Sequence, residues 1–308
     1  LTEAKPAPDF QDGDSAFLGG VLGLKETPAD MCSIAMTPAD LESAAAKDLP
    51  GLMARVKEAY GKVSGGKDVV LVEGVSLKPA SLNIRINAEV AKSIEAKSLL
   101  VVPFATALPP EATAMLTALG ANAIGVVANF VPQGQAGALK ASWTRSLGTG
   151  KLLGVIPEDR RLLAPSVADI ARMVGNGASS PSERTQELVE NLQLGVLTAD
   201  SVLPYFQSKE NKAVVVKSDR PELQLAALAT STRCLVLAGD TPPFRDVVYR
   251  SQETGVPIIQ APGDAPDVIQ KLEDGLNRVR FRQDRKLPVL DRALATALDW
   301  DALTKGLA

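Results

Sequence analysis

The sequence predicts a two-domain α/β protein built on parallel sheets, and three observations carry that prediction. From residue 67 onward short apolar runs alternate with helical patterns. The runs are continuous rather than alternating, as in strands buried on both faces, and such strands need helices on both sides. With 308 residues, 45% hydrophobic and 22% charged, the chain has enough material for two cores and the balance of a globular protein.

Asp68-Val69-Val70-Leu71-Val72-Glu73-Gly74 reads as a buried strand ending in a turn, followed by a polar loop and an amphipathic helix near 87–96. A second strand follows at Ser98–Pro103, a helix at 109–119, a third strand at Ala123–Asn129 and a fourth at Leu152–Ile156. Gly175–Glu183 is rich in glycine and serine and is the candidate linker, which sets domains of 1–178 and 184–308. Beyond it, helices are expected near 184–193 and 198–206, then a strand at 212–216, a helix at 221–230 and a strand at 234–238. A helix at 244–254, a strand at 256–260, a helix at 264–274 and two short helices near 288 and 301 complete the pattern. No internal repeat argues for a solenoid.

Composition excludes several functions. Histidine is absent, which removes Ser-His-Asp and Cys-His nucleophile systems and histidine-ligated zinc. A net charge of −3 leaves no broad cationic face for nucleic acid. Cys32 and Cys234 are too few for a thiolate metal cluster or a disulfide scaffold, which favours a reducing compartment. No run reaches about 18 apolar residues, so no membrane-spanning helix is expected. The chain opens on Leu1 with no signal-peptide pattern, as a mature chain or a part of a longer product would.

A few residues remain as candidates for chemistry. Glu73 stands at the carboxyl end of the expected first strand, where ligands collect in open parallel sheets and an acid can hold Mg²⁺; the alternative is an ordinary strand-end carboxylate. Asp12 and Asp14 offer a second carboxylate from a loop, or are turn acids. Gly65-Gly66-Lys67 and Gly148-Thr149-Gly150-Lys151 lack the Ser or Thr of a phosphate loop and precede strands rather than follow them, so both read as tight turns. Asn129 ends the third strand, placed either to meet a base edge or to hold the turn. Asp219 suits the N-cap of the next helix, with Arg220 beside it to pair an anion. The basic run Arg278–Arg282, with Phe281 interleaved and Arg285 and Lys286 beyond, reads as a solvated or contact face.

Several segments, in order, resemble a known family: Lys5-Pro6, Asp14-Ser15-Ala16, Asp68–Gly74, Asn87 in an Asn-Ala-x-x-Ala-Lys helix, Val126–Asn129 with Val131-Pro132, and Leu153–Asp159. Together they are similar to the dethiobiotin-synthetase-like P-loop domain at the front of many bacterial phosphate acetyltransferases. The second half, through Leu188–Asn191, Tyr205-Phe206, Asn211–Ala213, Ser218-Asp219-Arg220 and Gly255–Ile258, resembles the DRTGG regulatory domain. The pairing without an acetyltransferase domain resembles the phosphotransacetylase-like proteins.

The resemblance implies Asp14 and Glu73 as Mg²⁺ carboxylates, Lys5 facing substrate, and Asn129 with Pro157 holding the adenine of ATP. It implies Asp219 and Arg220 as the first letters of the name-giving motif, although Pro221-Glu222 replace the rest. A complete domain of that type has a strand, phosphate loop and helix ahead of the position of Lys5, so an upstream segment or its loss is implied. After Glu73, Val75-Ser76-Leu77-Lys78-Pro79 replaces the expected glycines, and such a loop approaches phosphate less closely than bare backbone. The expected function is a non-catalytic or weakly catalytic nucleotide-binding regulatory subunit. The alternatives are a Mg-ATP-dependent synthetase and a trans-acting regulator of a phosphate acetyltransferase. A protein partner or a second copy is expected, in bacterial cytoplasm or chloroplast stroma.

Overall fold

A computed structural model describes residues 13–32, 34–175, 183–195, 199–276, 279 and 281–307. The chain divides into two compact units, Leu1–Glu158 with Ala293–Ala308, and Asp159–Arg292. The expected linker at 175–183 lies within the second of these, and its residues 176–182 fall outside the described residues.

The first unit begins with helices α1 (Gly13–Leu22), α2 (Pro28–Met31) and α3 (Pro38–Ser64). Thr27 and Thr37 cap α2 and α3 by accepting from the amides of Asp30 and Asp40. Helix α3 kinks at Asp48, two residues ahead of Pro50, and the Asp48 carboxylate accepts from Gly51 N at 2.9 Å to restart the helix. Helix α4 (Ala80–Ser93) starts earlier than its apolar pattern indicates and packs Ile86 with Leu41, Leu52 and Leu77. A parallel sheet follows, β1 (Ser98–Pro103), β2 (Ala123–Val131) and β3 (Leu152–Pro157), in the order β1-β2-β3. Between its strands lie α5 (Pro110–Leu119) and α6 (Ala136–Leu147), with Leu139 and Trp143 one turn apart on the buried face of α6. The turn at Gly148 and Gly150, both at positive φ, delivers α6 into β3 as expected.

The run Asp68–Gly74 is not a strand. It is unpaired in sheet terms, with Val69 71% and Leu71 90% exposed. Its composition suits a strand, but no strand lies beside it among the described residues, and a ladder needs a neighbour to satisfy its backbone groups.

The second unit begins with α7 (Arg160–Leu163) and α8 (Val167–Met173), the latter closed by a capping box between Ser166 and Asp169. The expected helix near 184–193 is instead a 3₁₀ turn at Glu183–Gln186 and strand β4 (Asn191–Gly195). Leu192 and Leu194 alternate with Gln193, a period of two, and the buried Gln193 amide donates to Tyr205 O at 2.8 Å. Then come α9 (Ala199–Gln207), β5 (Lys212–Lys217), α10 (Pro221–Leu228), β6 (Thr232–Ala238), α11 (Arg245–Thr254), β7 (Ile258–Ala261) and α12 (Ala265–Leu276). The four strands are parallel in the order β4-β5-β6-β7.

Alternate strand residues separate this unit's two cores. Val214, Val216, Leu235 and Leu237 meet α9, α10 and α11, whereas Ala213, Val215, Cys234 and Val236 meet α8 and α12. The three linking helices α9, α10 and α11 thus lie on one face of the sheet, and α8 and α12, from the two ends of the unit, cover the other. Helix α13 (Leu287–Ala297) returns the chain to the first unit, where α14 (Trp300–Leu307) packs on β2. Leu298 makes an antiparallel bridge to Gly154, so the free edge of β3 is covered. No helix of the described residues is long and apolar enough to cross a membrane.

Candidate functional site

Sheet register brings two of the expected residues to one place. Asn129 pairs with Pro103 and Val131 with Pro157, so Asn129 and Pro157 both stand at the carboxyl edge of the first unit's sheet. The Asn129 Oδ1 accepts from Phe130 N at 2.9 Å and holds Phe130 at φ 56°, which is the turn-holding role. Asp14 lies half-buried in the first turn of α1, and Glu73 is exposed on the extended segment. Lys5 lies outside the described residues.

The loop after Glu73 is clamped by two asparagines of α4. Asn87 Oδ1 accepts from Val75 N at 2.9 Å while its Nδ2 donates to Val75 O and Asn83 O, and Asn83 Oδ1 accepts from Leu77 N at 3.1 Å. Gly74 belongs to the same clamp, because a Cβ there would stand 2.7 Å from Asn87 Oδ1. A phosphate cradle needs amides aimed at the ligand. Here the amides of 75 and 77 are already engaged. Nothing in the local pattern of residues 73–79 announces this clamp; Asn83 and Asn87, four apart on one helix face, are the signal that carries it.

Asp14 and Glu73 come from separate elements, and among the described residues no group of three or more acids, cysteines or histidines is placed to hold a metal ion.

In the second unit, Asp219 and Arg220 follow β5. Arg220, not Asp219, is the N-cap of α10, and it makes no side-chain cap bond. Its Nε donates to Glu222 Oε1 at 2.5 Å. The chain is held one residue out of the expected register by Gln224, fully buried, whose amide donates to Lys217 O and Ser218 O at 2.9 and 3.1 Å. Of the late basic run, Arg278 and Arg280 lie outside the described residues.

Where α8 and α12 diverge there is a cavity of about 670 Å³. Asp169 is the hub of its wall. It accepts from Ser166 N at 2.8 Å, Ser166 Oγ at 2.7 Å and Gln283 Nε2 at 2.8 Å, and pairs with Arg172. Burial pulls its carboxyl upward, and the bonds from Ser166 and the charge of Arg172 outweigh that and hold it below the usual carboxylate range. Beyond Gln283, Lys286 is fully buried and its Nζ has no hydrogen-bond partner among the described residues; burial pushes it down to about 8 against the opposing charge of Asp169.

Residues 169–274 match the DRTGG domain family. Over 270 residues the chain is 26% identical to phosphate acetyltransferase of Pseudomonas putida, covering 80% of this chain and 37% of that protein, so it spans little more than a third of that relative's length. Among solved structures, the CBS and DRTGG domains of the regulatory region of Clostridium perfringens pyrophosphatase, complexed with the activator diadenosine tetraphosphate, match at 14% identity and a TM-score of 0.34. That match covers 45% of this chain and 64% of that one. The second unit thus contains a match to the DRTGG domain family, and most of the chain is similar to part of a phosphate acetyltransferase.

Proposed function

We propose that this protein is a regulatory subunit that binds a nucleotide without efficient turnover, a pseudoenzyme in its first unit joined to a DRTGG regulatory unit. The observation that carries the reading is the engagement of Val75 N and Leu77 N by Asn87 and Asn83. Phosphoryl transfer depends on positioned charge stabilisation, and amides committed to side chains supply none to a transferring phosphoryl group. In this reading the nucleotide lies at the carboxyl edge of the first sheet against Asn129 and Pro157, with Lys5, Asp14 and Glu73 as its further contacts. Asp219 and Arg220 belong to the regulatory unit. The similarity to phosphate acetyltransferase favours such an enzyme, or a second copy of this chain, as the partner.

Calorimetric titration of the full-length protein with ATP and ADP in the presence of Mg²⁺, beside a turnover assay, tests this. Binding weakened by Asn129→Ala with no accompanying ATP hydrolysis is expected. Hydrolysis that disappears in Glu73→Ala would overturn the non-catalytic reading.

A further inference from the structure

Lys286 closes a short 3₁₀ turn, Asp284–Lys286, in the segment that links α12 to α13. Its side chain is wholly buried, and its Nζ has no hydrogen-bond partner among the described residues. A lysine is almost never fully buried unless it is paired. What the amine has instead is the ring of Phe281, with 5.7 Å from Nζ to the centroid, and the charge of Asp169.

Asp169 is already committed elsewhere. Its Oδ2 accepts from Ser166 N, Ser166 Oγ and Gln283 Nε2, at 2.8, 2.7 and 2.8 Å, and its Oδ1 takes Arg172. The Gln283 bond ties the segment to α8, and Gln283 O accepts from Lys286 N at 3.0 Å, so the tie and the buried amine belong to one turn of chain. Asp274 on α12 is held by Gln270, Asp284 in the same turn makes no bond to the amine, and Arg172, Lys271, Arg282 and Arg285 add like charge around the segment. A charged amine is therefore costly here and a neutral one much less so. Burial pushes Lys286 down to about 8, against 10.5 for an ordinary lysine.

We propose that Lys286 is a proton-controlled latch: with its amine neutral, residues 283–286 stay docked on α8, and with the amine charged they let go. The released lysine holds its proton more tightly than the docked one. Docking therefore strengthens as pH rises from about 8 to 10.5, and below that window it is weakest and constant. Asp169 stays ionised throughout, because the bonds from Ser166 and the charge of Arg172 outweigh its burial. Release frees the start of α13 at Leu287 and leaves the cap of α8 in place, since Ser166 and Asp169 bond each other. The latch does not depend on the nucleotide reading.

Hydrogen exchange of the full-length protein tests it, read by mass spectrometry on peptides covering residues 283–287 at pH 7 and pH 9. An unfolded reference corrects for the chemical pH dependence of exchange. Wild type is compared with Lys286→Met, Lys286→Arg and Lys212→Met, each checked for folding by far-UV circular dichroism. Protection should rise about tenfold from pH 7 to pH 9 in wild type and in Lys212→Met. Lys286→Met, uncharged and of similar length, should be protected at both pH values, and Lys286→Arg, charged at both, at neither. Wild-type protection that is the same at the two pH values would overturn the latch, as would a rise that survives in Lys286→Met. A rise abolished in Lys212→Met would also overturn it, by assigning the effect to the stability of the whole unit.

Discussion

The two sheets of this protein are written in nearly the same sequence grammar and finish in different states. In the second unit every strand lies between two helical layers, and Leu235, Val236 and Leu237 of β6 are wholly buried. In the first unit the β3 edge is covered by Leu298, while β1 leaves Val101 52% exposed and the apolar run before α4 stands almost free at Leu71. Valine and leucine runs specify extended backbone in both places. Burial is supplied by the neighbours: β6, like β2 in the first unit, has them on both faces, whereas β1 and the run at 68–74 do not.

The sharpest way to break this contrast is to truncate one leucine in each region. Leu237→Ala should lower stability by about 3 kcal/mol, from lost transfer free energy and a residual cavity in a well-packed layer. Leu71→Ala, at 90% exposure, should stay within about 0.5 kcal/mol. Denaturant titrations followed by far-UV circular dichroism measure both. Equal losses would mean that Leu71 is covered in solution.

The second unit's burial also reaches its lysines. Lys212 is fully buried on β5, its Nζ donates to Ser231 O at 2.9 Å, and burial pushes it down to about 8 despite the nearby charge of Glu210. In the unfolded chain it titrates near 10.5. Between about pH 8 and 10.5 the unfolded state therefore binds more protons than the folded state, so stability rises with pH across that window. At about 1.4 kcal/mol per pH unit, the rise from Lys212 is at most about 3 kcal/mol. Lys212→Met should remove it, leaving the share due to Lys286. Chemical denaturation at pH 7.5, 9 and 10 decides the matter, and an unchanged slope in the variant would show that Lys212 is not the group responsible.

A smaller effect is expected at the clamp beside the exposed run. Asn87→Ala removes the acceptor of Val75 N and the donor to Val75 O, and should destabilise the first unit by about 1 to 2 kcal/mol. Trp143 and Trp300, the two tryptophans of the chain, both lie in that unit, so intrinsic fluorescence reports on it. Asn87→Asp keeps the acceptor and loses the donor, and should fall between the two. An unchanged fluorescence midpoint in Asn87→Ala would mean that the loop does not depend on the clamp.

Sequence pattern alone located the strands from Ser98 onward, β4 apart, and their parallel class, because continuous apolar runs of that length fit buried parallel strands. It misread two segments for one shared reason. Residues 68–74 have the composition of a strand but no partner, and residues 188–195 have a mixed spacing that only pairing with β5 resolves into β4. The candidate sites were legible where a residue sits at a strand end, as Asn129 and Pro157 do. The cavity was not legible, since Arg172, Lys271 and Gln283 are far apart in sequence and the packing of α8 and α12 alone brings them together. The Asn83 and Asn87 clamp lies between these cases: its spacing was visible and its target was not.

The smallest effect belongs to the loop after β5, where the expected cap is absent. Helix α10 begins with Arg220 at the N-cap, Pro221 and Glu222, so its first amides receive no side-chain acceptor. Arg220→Asp supplies one, a change worth about 0.5 to 1 kcal/mol at typical N-caps. It also removes the Arg220–Glu222 pair, whose partners are 44% and 41% exposed, and an exposed pair of this kind contributes at most about 0.5 kcal/mol. The net gain should be a few tenths of a kcal/mol, seen as a slightly raised denaturation midpoint. The buried Gln224 anchors the loop from below through Lys217 O and Ser218 O, so the substitution should not shift the backbone. A loss of 1 kcal/mol or more would mean that Arg220 holds the loop through its own charge, and would move the register of this segment from the control of Gln224 to that of the arginine.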